Sequence, residues 1–301
     1  MGNQRISEPA GRCLSYGFAV LAIFHTVLYM PVYWRLVQAW QTMPQCSHGW
    51  FILPLVAWLC FQKRRYLQGC LYSMSYSGCM LTGAGLFLYL AAMVYESDSF
   101  VYLSYMISLT GITVSMFGYA ALRILRVPCL FLLFMFPLPD YLYLRLTGPL
   151  KLFASNLSAQ IISSAGIPVL QEGNIIQLPN LQLNVVEACS GIQSLISYIM
   201  IGCLLAYLLA GPVWKKAVLV AATVPVALVN NILRITVTGI LGEFLGKPAN
   251  SGFYHELLGL VIFVVGFLAL AGVYLLLARL DRRPYLFSGA AKALNMGEKC
   301  L

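Results

Sequence analysis

From Leu257 to Ala278 the chain carries no charged side chain, and this is only the last of several such runs. A segment of that kind spans a lipid bilayer or hides inside a large core, because about 20 apolar residues cover the hydrocarbon thickness. Charged residues make up only 10% of the 301, against roughly a quarter in soluble domains, and hydrophobic residues reach 60%. No sizeable soluble domain can be drawn from what is left. The sequence predicts an all-α polytopic membrane protein, a single membrane-embedded domain over 1–301.

Eight oily segments run approximately over 14–32, 49–62, 70–94, 99–122, 127–143, 190–210, 215–238 and 255–278. The second and fifth are short and hold Pro54, Pro137 and Pro139. The charge pattern decides whether they cross. With the N-terminus inside and eight crossings, 14 lysines and arginines fall on the inner side and four (Arg35, Arg145, Lys151, Lys247) on the outer. Removing either short span would put Lys63-Arg64-Arg65 or Lys215-Lys216 outside, against the positive-inside rule. The expectation is eight transmembrane helices with both termini cytoplasmic. The net charge of +9 then reflects topology and contact with anionic membrane lipids, not nucleic-acid binding.

The longest outward connection, 144–189, holds a mildly amphipathic stretch that reads as a helix lying on the outer leaflet. After it, Q-E-G-N and P-N separate β-rich runs, which reads as a small extracytoplasmic β-hairpin between helices five and six. This insertion ends at V-E-A-C-S-G-I-Q-S, residues 186–194.

Three residue types converge there. Cys189 stands at the outer N-terminus of span six, where the helix dipole favours a thiolate. Arg234 lies near the outer end of span seven, and an arginine inside a span signals function. His255 opens span eight on the same side. A thiolate nucleophile needs a proton relay, which histidine supplies, and a donor for the charge developing on the attacked carbonyl, which arginine supplies. Cys189, Arg234 and His255 thus form a candidate site for acyl transfer through a thioester. Supporting candidates are His48 at the outer mouth of span two, Asn231 one turn before Arg234, Glu187, and Ser190 as a helix cap. A zinc site from Cys189, His255, His48 and Cys46 lacks any close ligand pair, so no metal and no cofactor are expected. Cys46 reads as a free buried thiol, with a regulatory disulfide to Cys189 as the alternative.

The blocks V-E-A-C-S-G-I-Q-S, V-P-V-A-L-V-N-N-I-L-R-I and F-Y-H-E-L-L-G resemble, in order, the signature blocks of the exosortases and the related archaeosortases. C-S-H-G-W-F-I-L-P-L-V-A-W-L, F-P-L-P and S-A-G-I-P-V-L-Q-E-G-N-I-I-Q-L-P resemble further blocks, and the likeness covers approximately 45–265. It implies an inner-membrane cysteine transpeptidase or protease with its active site facing the periplasm. Its partners would be exported proteins whose C-terminal sorting signal carries a Pro-Glu-Pro-type motif, a helix and a basic tail. It also implies a link to exopolysaccharide production. In the resemblance Cys189, Arg234 and His255 match the catalytic positions, and histidine at the third points to the bacterial branch. The acceptor of the acyl group is not readable. The competing reading is a polysaccharide-export permease, with Asn230, Asn231, Arg234 and His255 lining a path, or a non-catalytic assembly subunit.

Overall fold

The computed structural model describes residues 20–68, 75–185, 192–245 and 253–280. Two compact units part between Pro139 and Asp140.

The first unit opens with α1 (Val20–Leu28) and α2 (Met30–Thr42), bent by 56° at Tyr29. Then come α3 (Gly49–Gln62), the short α4 (Arg64–Gln68), α5 (Tyr76–Val94) and α6 (Asp98–Leu132). The α1–α2 pair runs antiparallel to α6, because His25 meets Ser108, Tyr29 meets Ser104 and Arg35 pairs with Asp98. Four residues forward on one side are four back on the other. His25 is buried and also stacks on Tyr29 and Tyr105. Its imidazole is therefore both packed and satisfied, as a polar group inside a membrane helix must be.

Helices α5 and α6 touch backbone to backbone. A Cβ added at Gly78 would stand 2.3 Å from the Ser115 nitrogen, and one at Gly111 would stand 2.4 Å from the Thr82 nitrogen. Small residues at such crossings let helices approach when lipid supplies no hydrophobic drive between them. Helix α6 breaks sharply at Gly118, whose φ of 71° and ψ of −179° suit only glycine. The sequence reading put a loop at 123–126 between two spans. In the structure Arg123 and Arg126 are helical and the break sits at Gly118 instead.

The second unit contains α7 (Asp140–Ser164), strands β1 (Leu170–Glu172), β2 (Ile175–Gln177) and β3 (Gln182–Asn184), then α8 (Ile192–Leu208), α9 (Val213–Leu245) and α10 (Phe253–Arg279). The expected hairpin is a three-stranded antiparallel meander in the order β1-β2-β3. Its turns fall where the sequence marked them. Glu172 pairs with Ile175 around Gly173-Asn174, with Gly173 at φ 63°, as a two-residue hairpin turn requires. Leu178 and Leu181 exchange backbone hydrogen bonds around Pro179-Asn180.

The amphipathic helix is longer than expected and is not a lone surface helix. Its Ala154, Ser155, Ser158, Ala159 and Ile162 face is buried, Ser158 donates to the Ile232 carbonyl of α9, and Ile162 lies against Gly239. The sheet packs on the same helices through Ile176, Leu178 and Leu183.

Among the described residues, four helices are long and apolar enough to cross a membrane, or five if the bent α1–α2 pair is one span. Length and composition alone therefore do not give the eight spans expected. Helix α3 has 14 residues with Pro54 inside and α8 has 17, both under the usual length, while the fourth expected span is broken at Gly118 inside α6 and the fifth is divided among the end of α6, the turn Leu133–Met135 and the start of α7.

The α5–α6 contact makes a direct test. Gly111→Ala drives a methyl into the Thr82 backbone and should destabilise the purified protein by about 1–3 kcal/mol. Gly83→Ala, with nothing within 4 Å, should be neutral or gain up to about 1 kcal/mol from helix propensity. Thermal unfolding in detergent measures both.

Candidate active site

The sheet delivers the chain to the expected cysteine segment. Asn174 accepts from the Val185 backbone through its carbonyl, and its side-chain amide donates to the Val185 carbonyl and to Asn184. On the other side the sheet is pinned to the end of α9. Glu243 accepts from the backbone and the side-chain amide of Asn180, and Leu181 lies where a Cβ at Gly242 would go. The β2–β3 turn is thus fixed to the last turns of the arginine helix. Glu187, Cys189 and Ser190 lie outside the described residues.

Arg234 is on α9, 19 residues after Lys215, about 28 Å along the axis and close to the thickness of the hydrocarbon core. Its guanidinium lies against Gly259 of α10: a Cβ there would stand 3.3 Å from Nη2 and 3.4 Å from Cζ. The contact belongs to a regular antiparallel ladder. Lys215 donates to the Leu277 carbonyl, Asn230 is level with Phe263 to Gly266, and Arg234 is level with Gly259. Position 255 is one turn before Gly259 on the same face of α10. The structure therefore brings Arg234 beside the stripe of α10 that position 255 opens. The His255 side chain lies outside the described residues.

One turn below Arg234, three helices are tied by hydrogen bonds. Asn230 of α9 donates through Nδ2 to the Tyr198 hydroxyl of α8 at 2.7 Å, and that hydroxyl donates to the Phe263 carbonyl of α10 at 2.9 Å. Tyr198 is fully buried and stacks on Phe263 with ring centroids 5.0 Å apart. Only glycine fits at 266, where a Cβ would stand 2.2 Å from the tyrosine oxygen. Tyr198, Gly259 and Gly266 were not singled out from the sequence, and Asn230 entered only as a pore-lining candidate. A signal was present in F-Y-H-E-L-L-G, where the glycine follows the histidine by one helical turn. Asn231, the asparagine named from spacing, is buried as well.

His48 belongs to the first unit. It precedes α3 and is buried, and its Nε2 donates to the Phe134 carbonyl at 2.8 Å, which fixes that nitrogen as the protonated one in the neutral ring. Trp40 donates to the next carbonyl, of Met135, at 2.9 Å. The pair clamps the 3₁₀ turn Leu133–Met135 ahead of Pro137 and Pro139. Burial lowers the His48 pKa, and the carbonyls of Phe134 and, less, Gln45 partly offset this. The Gln45 carbonyl nonetheless makes no hydrogen bond of normal geometry with Nδ1. Cys46 is buried and free, and burial pushes its thiol up to about 11, which makes it a poor thiolate. Among the described residues no cluster of histidine, cysteine and carboxylate side chains could hold a metal ion.

A family model described as transmembrane exosortase matches residues 40–272, more than half of the chain. No curated protein and no solved structure matches it.

The lowered pKa of His48 has a consequence for stability. Below the ordinary imidazole value of 6.5, the unfolded chain takes up a proton that the folded one resists. Stability is therefore fully present above about pH 6.5 and falls as the pH drops toward the folded pKa. Melting curves between pH 7.5 and 5 should show this loss, and His48→Gln should lower stability at neutral pH while flattening the dependence.

Proposed function

Since the chain belongs to the transmembrane exosortase family, we propose that it is a multi-pass membrane cysteine transpeptidase or protease that processes C-terminal sorting signals. Its substrates are exported proteins ending in a Pro-Glu-Pro-type motif, an apolar helix and a basic tail. The protein sits in a bacterial inner membrane with eight crossings, both termini cytoplasmic and the site facing the periplasm. One observation carries the reading: the Arg234 guanidinium rests on Gly259, one turn from position 255, on the helix whose last turns hold the sheet that precedes Cys189.

In this reading Cys189 is the nucleophile. His255 takes the thiol proton, and the thiolate attacks the carbonyl carbon of the scissile peptide bond. The oxygen takes up the negative charge, and Arg234 donates to it. The carbon–nitrogen bond breaks, and the leaving amine receives the proton held by His255. That leaves a thioester on Cys189, which an acceptor amine or water resolves. His48 holds the 133–136 corner of the first unit. Asn231, Glu187 and Ser190 support the three central groups.

The geometry also gives a reason for arginine at 234. Wedged against a glycine, a planar guanidinium keeps its donors aimed in one direction, while a lysine ammonium on a flexible stem would not.

Purified enzyme in lipid, given a peptide with a sorting-type tail, should form a mass adduct on Cys189. Cys189→Ala should abolish cleavage. His255→Ala should slow acylation and resolution, and Arg234→Lys should lower kcat/KM about 100-fold or more. Gly259→Val, which crowds the guanidinium without replacing any of the three central side chains, should lower kcat with little change in folding. Cleavage by Cys189→Ala at the wild-type rate would overturn the thioester mechanism and call for a transport assay.

A further inference from the structure

Several helical threonines in this protein close on themselves. Thr26, Thr42, Thr82 and Thr113 each donate to the carbonyl four residues back. Thr236 and Thr238 on α9 do not. Both are buried, with 6% and 4% of their surface exposed, and among the described residues neither hydroxyl has a hydrogen-bond partner. A covered hydroxyl that declines its own helix carbonyl is a standing cost until another partner reaches it.

The two threonines point in different directions around α9. Thr236 is two residues past Arg234, on nearly the opposite side of the helix. Thr238 is four residues past Arg234, so Asn230, Arg234 and Thr238 form one stripe. The ladder with α10 fixes the level of that stripe. Asn230 faces Phe263 to Gly266 and Arg234 faces Gly259, and one turn further along, 238 faces 255. Asn230 spends its amide donor on Tyr198. Thr238 is the member whose hydroxyl stays uncommitted, at the level of the position proposed to supply the proton relay.

The chemistry of a ligand there follows from its neighbours. Arg234 offers only donors and a positive charge. A group lying along the stripe beside it must present acceptors, and a peptide backbone presents carbonyl oxygens. We propose that Thr238 is a further substrate-binding residue of the site, its hydroxyl donating a hydrogen bond to a backbone carbonyl oxygen of the sorting-signal peptide next to the scissile bond. The proposal rests on the functional reading above and names a group that touches its substrate.

The test uses the full-length protein in lipid and a synthetic peptide with a Pro-Glu-Pro motif, an apolar helix and a basic tail. Binding is measured on Cys189→Ala, so that it does not depend on turnover, and cleavage on the enzyme with its cysteine intact. Thr238→Val keeps the shape and removes the hydroxyl. It should weaken peptide binding about tenfold and lower kcat/KM at least as much. Thr238→Ser should restore both to within about twofold. The melting temperature of Thr238→Val should not fall, because no internal hydrogen bond is lost. Thr236→Val, the same change on the opposite side, should leave binding and cleavage as they were. Thr238→Val binding and cleaving like its parent overturns the proposal and leaves the functional reading standing. Peptide bound in a Thr238-dependent way but never cleaved by the intact enzyme overturns the functional reading alone. No binding by the Cys189→Ala parent overturns both.

Discussion

The second unit is organised around the cost of keeping the Arg234 guanidinium on a long apolar helix. A charge there is tolerated only when its surroundings are built for it. Below it, Asn230, Tyr198 and the Phe263 carbonyl tie α8, α9 and α10 into a fixed triangle. Beside it, Gly259 gives the planar group a flat wall. Beyond it, Glu243 and Gly242 weld the β-sheet to the same helix. Each contact is local, yet together they set the height, direction and rigidity of one side chain. Helix α9 is long enough, at 33 residues or about 50 Å, to cross the hydrocarbon and still carry the sheet on its last turns.

What the sequence made legible follows from which forces act locally. Arg234 and position 255 could be placed on one side from charge counts alone, because the positive-inside rule acts on loops. The turns at Gly173-Asn174 and Pro179-Asn180 were legible because turn chemistry is local. The third strand was missed because three-residue strands carry almost no period. The Gly118 break was missed because a glycine in an oily helix looks the same whether it packs against a neighbour, as Gly111 does, or takes a positive φ. Tyr198 was missed for a similar reason. A tyrosine within an apolar run reads as bulk, and only the partners on two other helices make it a tie. The packing of α7 against α9 is likewise tertiary: the stripe of Ala154, Ser155, Ser158 and Ala159 is too small-sided to read as strongly amphipathic.

The polar side chains of the second unit also separate two kinds of membrane chemistry. A transport path needs groups that stay available at successive depths, so that cargo can exchange one set of partners for the next. Here the donors of Lys215 and Asn230 are turned onto the neighbouring helices, the first on the Leu277 carbonyl and the second on Tyr198, whose own proton goes to Phe263. Those contacts tie α9 to α10 at one level and to α8 at another. The uncommitted hydroxyl of Thr238 comes after them, past Arg234 on the same stripe and level with position 255. Polarity that is consumed at depth and offered at one end suits a reaction at the membrane surface. In the proposed function the apolar helix of a substrate would stay in lipid, and only the extended peptide before it would have to reach the side chains that react.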